Sequence, residues 1–132
     1  MPNLKKKRFS FAPKYKSLKE IIVDDDLASF GDAYTNLLNS LYLSEKVNKP
    51  RGIKATSFSL SKALKRVGLK QLMPPRSDRH SQGDAVEALL AYAWLQGLTT
   101  IAEDVKILVR HDNIVDAFSA LLIEVKKKLN SQ

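Results

Sequence analysis

Apolar residues fall at Leu27, Phe30, Tyr34, Leu37, Leu38 and Leu41, intervals of three and four that match one face of an α-helix and predict a helix running to about Lys46. At about 100° per residue the opposite side gathers Asp25, Ala28, Asp32, Thr35, Asn36 and Asn39, so Asp32 lies on a polar stripe two turns after Asp25. One of Asp24, Asp25 and Asp26 supplies the N-cap. Lys49-Pro50-Arg51-Gly52 breaks the pattern, and Ser57 to Val67 reads as a shorter basic helix closed by Gly68. The segment LKQLMPPRSDRHSQ, with Pro74 and Pro75 in series, reads as a positively charged surface loop and the best candidate for mobility.

A second long helix is predicted from about Ser81 to Gly97. Val86, Leu89, Leu90, Ala93 and Trp94 make one apolar face, and Ala88, Ala91 and Leu95 fill much of the other. A helix apolar nearly all round is a buried one. TTIAEDVKILVRH follows as a helix capped by Thr99 or Thr100, and Asn113 to Leu129 closes the chain with Ile114, Phe118, Leu121, Leu122, Val125 and Leu129 on one face. With no strand pattern, repeat or linker, residues 1–132 are expected to form one compact all-helical domain. Residues 1–16 mix basic groups with Phe9, Phe11, Tyr15 and two prolines, so they read as an extended arm, either packed on the domain edge or touching nucleic acid.

Charge sharpens this picture. The 22 Lys and Arg against 14 Asp and Glu leave a net +8, which favours polyanionic partners or plain solubility. Its distribution is uneven: residues 1–23 carry +6, 24–48 carry −4, 49–80 carry +8 and 81–110 carry −2. Two acidic helices are thus embedded in a basic chain. The absence of Cys removes disulfides, thiolate zinc sites and cysteine nucleophiles, and two His are too few for a histidine-rich centre. A metal here would be held by carboxylate oxygens, which suits Mg²⁺ or Mn²⁺. No apolar h-region follows the basic N-terminal residues and no run approaches a bilayer span, so a soluble, intracellular, cytoplasmic protein is expected.

The buried second helix nevertheless carries Asp84 and Glu87 one turn apart. Desolvated carboxylates cost several kcal/mol unless a cation compensates, and Arg or Lys in an ion pair could serve as well as a metal. The two acidic helices share an unusual form, FGDAY at Phe30–Tyr34 and QGDAV at Gln82–Val86. If they cross at their glycines, Asp32 faces Asp84 and Glu87.

From Leu27 to Gly97, 71 of the 132 residues, the chain resembles the catalytic domain of the ribonuclease III family. LASFGDAYTNLLNSLYL resembles that family's first signature, SLSKALKRVGL its intervening basic helix, and GDAVEALLAYAWLQG its second signature. The resemblance implies that Asp32, Asp84 and Glu87 are the catalytic acids and metal ligands, with Asp25 as a further ligand candidate. The larger enzymes have another ligand, a Glu, four residues before the signature Asp, where this chain has Ala28. The compact mini-ribonuclease III subgroup also lacks that Glu and the appended double-stranded-RNA-binding domain, and this chain resembles it in size.

The resemblance further implies a Mg²⁺-dependent (or Mn²⁺-dependent) endoribonuclease that cuts double-stranded or structured RNA as a homodimer in RNA processing. The dimer interface would draw on Phe30, Tyr34 or Trp94. A phosphate-reading rim would be basic, and Lys54, Arg76, Arg79, His80, Lys5, Lys6, Lys7 and Arg8 are its candidates. Two other readings compete. One is a catalytically weak or inactive RNA-binding module on the same fold, with Ala28 as its sign; the other is a helical DNA-binding protein, for which only Ser57–Val67 resembles a recognition helix.

Overall fold

A computed structural model describes residues 9–131, and among them there are helices and no strand. Six α-helices follow in order: α1 (Leu18–Ile22), α2 (Asp25–Val47), α3 (Ser57–Arg66), α4 (Arg79–Leu95), α5 (Ile101–Leu108) and α6 (Ile114–Asn130), with a 3₁₀ turn at Lys70–Leu72. The all-helical architecture is the one predicted. Among the described residues no helix is long and apolar enough to cross a membrane.

Helix α4 is the axis. It packs against α1, α2, α3 and α6, and Ala85, Val86, Ala88, Leu90, Ala91 and Ala93 are fully enclosed. Its predominance of alanine allows neighbours to approach from several sides, while α6 closes the core with Phe118, Leu121, Leu122 and Val125. Burial of each such leucine or phenylalanine contributes roughly 1.5–3 kcal/mol.

Local capping chemistry decides the boundaries. Asp24, of the three candidate caps, accepts from the Leu27 amide at 2.9 Å and also from the Tyr15 hydroxyl at 2.6 Å. Helix α4 starts two residues earlier than the apolar pattern indicates, because the Asp78 side chain accepts from the Ser81 amide. Thr100 and Glu103 form a capping box on α5, and Asn113 caps α6. Ser17 and Glu20 form another box that nucleates α1, a helix too short to show in the apolar pattern.

The buried face of α2 is rotated from the predicted one. Leu27, Tyr34 and Leu38 are enclosed as expected, but so are Ala28, Gly31, Thr35 and Asn39, whereas Phe30 and Leu37 remain 38% and 45% exposed. The cause is backbone proximity: α2 meets α4 so closely that a Cβ on Gly31 would sit 2.1 Å from the Glu87 carbonyl oxygen. Small residues therefore occupy the seam and displace the larger apolar ones to its margin.

Residues 9–16 pack on the domain edge. The Phe9 ring lies tilted against Trp94 at 5.7 Å and Phe11 against Phe30 at 5.8 Å between ring centroids. The Tyr15 amide donates to the Tyr92 hydroxyl at 2.8 Å, and the Gln96 side chain donates to the Pro13 carbonyl at 2.6 Å.

Candidate active site

The acids are brought together by the crossing of α2 and α4, with a register different from the glycine-on-glycine contact anticipated from sequence. Gly31 rests on the backbone of Glu87, one turn beyond Gly83, and Gly83 instead lies against Ser57 at the start of α3, whose Cα and Cβ would both be 3.2 Å from an added Cβ. The residue after Gly31 is Asp32, so this contact sets Asp32 beside Glu87. Asp84 lies one turn back along the same face of α4, and Asp25 two turns back along α2.

The four carboxylates occupy different environments. Glu87 is only 6% exposed, whereas Asp25, Asp32 and Asp84 reach the surface. Burial pushes the Glu87 carboxyl up to about 8, and a hydrogen bond to Asp32 together with the charges of Asp32 and Asp84 pushes in the same direction, with Lys54 opposing them. Burial, with the Asp32 carboxylate beside it, thus favours the neutral form of Glu87. Asp84 is raised too, first by partial burial and then by the charge of Asp25, while His80 lowers it. Among the described residues no group of three or more His, Asp or Glu side chains stands close enough together to hold a metal ion as placed. The acids form two facing rows, with Asp32 and Glu87 in contact.

A cavity of about 330 Å³ opens over Ala28, lined by Asp25, Asp84, Ser81 and the loop Pro74–Ser77. The site thus has open volume where Ala28 leaves a short side chain. The loop is anchored at one end: buried Gln82 donates to the Ser77 carbonyl at 3.1 Å and the Ser77 hydroxyl at 3.2 Å, and accepts from the Ser61 hydroxyl of α3. Arg76 takes a left-handed backbone (φ 63°) within it and lines both this cavity and a larger one of about 510 Å³ bordered by Lys65 and Lys70.

Of the predicted basic rim, Lys54 lies near Glu87, Arg76 at the cavity over Ala28, and His80 one turn before Asp84. Arg79 is exposed at the first turn of α4. Lys5, Lys6, Lys7 and Arg8 lie outside the described residues. The predicted interface residues divide: Phe30 and Trp94 stack at 6.3 Å on the partly open face, but Tyr34 is buried and donates to Asp104 at 2.6 Å, which commits it to the core.

Two residues that hold this site were missed from sequence. Asn36 donates to Asp32 Oδ1 at 3.3 Å and accepts from the Ala55 amide at 2.8 Å. Gln82 anchors the loop. Asn36 carried a readable signal, since it follows Asp32 by four residues on one helical stripe; Gln82 carried none, because its bond to Ser61 spans 21 residues and its bonds to Ser77 enter an irregular loop.

A family model described as Ribonuclease III matches residues 25–131. No curated protein matches the chain.

Proposed function

The chain belongs to the ribonuclease III family, and on that premise we propose that it is a divalent-metal-dependent endoribonuclease acting on double-stranded or structured RNA. The observation that carries this reading is the contact of Asp32 with Glu87 beside Asp84, at a helix crossing that Gly31 makes possible. Carboxylates forced together at this cost fit a cation as their proper occupant.

The donor set is all hard oxygen, which fits Mg²⁺ or Mn²⁺. Asp32, Asp84 and Glu87 would hold the ion, with Asp25 in reach of the same space. When bound, such an ion lowers the pKa of its water and neutralises charge developing on a phosphodiester. The chain's own residues supply the rest. Glu87 would have to be ionised to hold the ion, and its burial would shield that charge from bulk water. Arg76, with Lys65 and Lys70 at the neighbouring cavity, offers positive charge for RNA phosphates beside the acids. Ala28 leaves space rather than a ligand, so Asp25 is the acid nearest to that role.

A homodimer belongs to the same proposal. Phe9, Phe11, Phe30 and Trp94 form a continuous aromatic cluster of stacked and tilted rings, with Phe11 61% and Phe9 39% exposed. A second copy meeting this face would bury it and align two acidic sites across a duplex.

The test incubates a labelled RNA duplex with the protein in Mg²⁺ and in EDTA, beside a folded Asp84→Ala, Glu87→Ala variant. Metal-dependent cutting lost in the variant supports the nuclease. A duplex bound but left whole in both Mg²⁺ and Mn²⁺ identifies an inactive RNA-binding module instead.

A further inference from the structure

The connector between α2 and α3 lacks regular structure, yet it is held along α2 by a regular set of side-chain bonds. Asn36 accepts from the Ala55 amide at 2.8 Å. Ser40 accepts from the Ile53 amide at 2.9 Å and donates to the Ile53 carbonyl at 3.1 Å. Ser44 accepts from the Arg51 amide at 2.8 Å and donates to the Arg51 carbonyl at 3.2 Å. The rungs advance four residues on the helix for every two on the connector, in opposite directions.

The match is metric. Four helical residues rise about 6 Å and two extended residues about 6.6 Å, so an antiparallel extended chain can keep register with a helix when a small polar side chain recurs every fourth position. Asp32 falls on the same stripe, one interval before Asn36, and Asn36 Nδ2 donates to its carboxylate at 3.3 Å. At the other side the connector ends on Ser57, which packs against Gly83 next to Asp84. The ladder therefore runs from the far end of α2 straight to the acids.

Lys54 lies between the two rungs nearest the acids. It is exposed, and among the described residues it forms no ion pair, the pairs there being Lys46 with Asp112 and Arg66 with Asp116. A lysine so tethered beside carboxylates, and not neutralised by them, retains its charge for another anion. We propose that the Asn36–Ser40–Ser44 ladder is a positioning element that fixes Lys54 at the rim of the acidic site as a phosphate contact for bound RNA, with Asn36 linking that segment to Asp32. The proposal rests on the RNA-binding part of the functional reading and adds the device that places the contact. The ladder residues touch no RNA themselves; they act through the backbone on either side of Lys54.

The experiment is a double-mutant cycle on binding, which needs no cleavage. Affinity for an RNA duplex is measured by fluorescence anisotropy across a salt series, in EDTA and again in Ca²⁺. Four proteins are compared: unchanged, Lys54→Ala, Asn36→Ala with Ser40→Ala, and all three substitutions together. One phosphate contact contributes a salt slope of about one, so Lys54→Ala is expected to lower the slope by about one and the low-salt affinity several-fold. In the ladder-broken background the same lysine substitution should change affinity less than about twofold. An equal penalty in both backgrounds overturns the proposal, since a merely structural ladder would lower the melting temperature and leave the lysine's share intact. Should the double ladder variant fail to fold, Ser40→Ala alone repeats the cycle. An unchanged protein that binds no duplex overturns the RNA reading and this proposal together, whereas binding with an equal lysine penalty overturns this proposal alone.

Discussion

Replacing Gly31 with alanine is the substitution whose cost the geometry defines most closely. An ideal Cβ at that position would lie 2.1 Å from the Glu87 carbonyl oxygen and 2.5 Å from its carbonyl carbon, against an ordinary contact of at least 3.4 Å. The obstacle is helix backbone, so no rotamer change relieves it. The two helices must separate by about 1.3 Å at the crossing, the difference between 3.4 and 2.1 Å. Forced overpacking in a core costs about 1–3 kcal/mol and sometimes more, and this seam, where backbone meets backbone, sits at the upper end. A loss near 3 kcal/mol is a large part of the roughly 5–15 kcal/mol that holds a domain of this size folded, and lowers Tm by about 10 °C. Separation also draws Asp32 away from Glu87, so the unusual proton on Glu87 should be released at lower pH. Urea melts checked by two probes measure the first effect, and carboxyl NMR titration the second. Two glycines serve as comparisons: Gly83→Ala meets Ser57 at 3.2 Å and should cost less, and Gly52→Ala meets nothing within 4 Å and should cost nothing or stabilise slightly. If Gly31→Ala melts within 0.5 kcal/mol, or about 2 °C, of the unchanged protein, the close crossing is wrong and so is the placement of the acids built on it.

Other consequences can be measured independently. Thr35 is enclosed with its hydroxyl unpartnered, so Thr35→Val, of nearly equal shape, should be neutral or raise stability by about 1 kcal/mol in denaturant melts. Asp104 is buried and accepts from both Tyr34 and Thr99; Asp104→Ala strands two buried hydroxyls and should cost about 3 kcal/mol, more than Tyr34→Phe. Metal-free stability should depend on Glu87 with a definite sign. The group is held at about 8 in the fold, against an ordinary 4.5, so below pH 4.5 it is neutral in both states and costs nothing. As pH rises from 4.5 to 8 the unfolded chain releases this proton and the fold does not, so stability falls across that window, by a few kcal/mol. The decline should be shallower in Glu87→Gln and should be offset by Mg²⁺.

The helices were legible because their periodicity is strong and their caps are local. Ser17, Asp78, Thr100 and Asn113 accept from amides three residues on, so each boundary is set within a few positions of itself. Helix α1 escaped notice because five residues give no periodicity, although its capping box was readable. What stayed hidden was rotation and register. Apolar content alone assigns Phe30 and Leu37 to the core of α2, but the helix instead buries the stripe of Ala28, Gly31 and Thr35, since only small residues admit the Glu87 backbone. The pairing of Gly31 with Glu87 rather than Gly83 is a tertiary fact of the same kind. The candidate acids were readable as residues, from a repeated Gly-Asp-Ala on two helices. Their unequal environments were not, because the burial of Glu87 and the exposure of Asp84, three positions apart on one helix, depend on where α2 lies across them. The ladder of Asn36, Ser40 and Ser44 shows an intermediate case: its spacing is in the sequence, but its partners in the connector lie seven to nineteen residues away.

The isosteric Glu87→Gln variant tests the nuclease reading most directly, because it keeps the shape of the side chain and a donor toward Asp32 while removing the negative charge a cation needs. Cleavage of a labelled RNA duplex should be compared with that of the unchanged protein in Mg²⁺, with duplex binding and melting temperature measured on the same samples. Cutting should be lost while the fold and duplex binding persist. Undiminished, Mg²⁺-dependent cutting by Glu87→Gln would contradict the assignment of Glu87 and its acidic neighbours as the metal-holding centre.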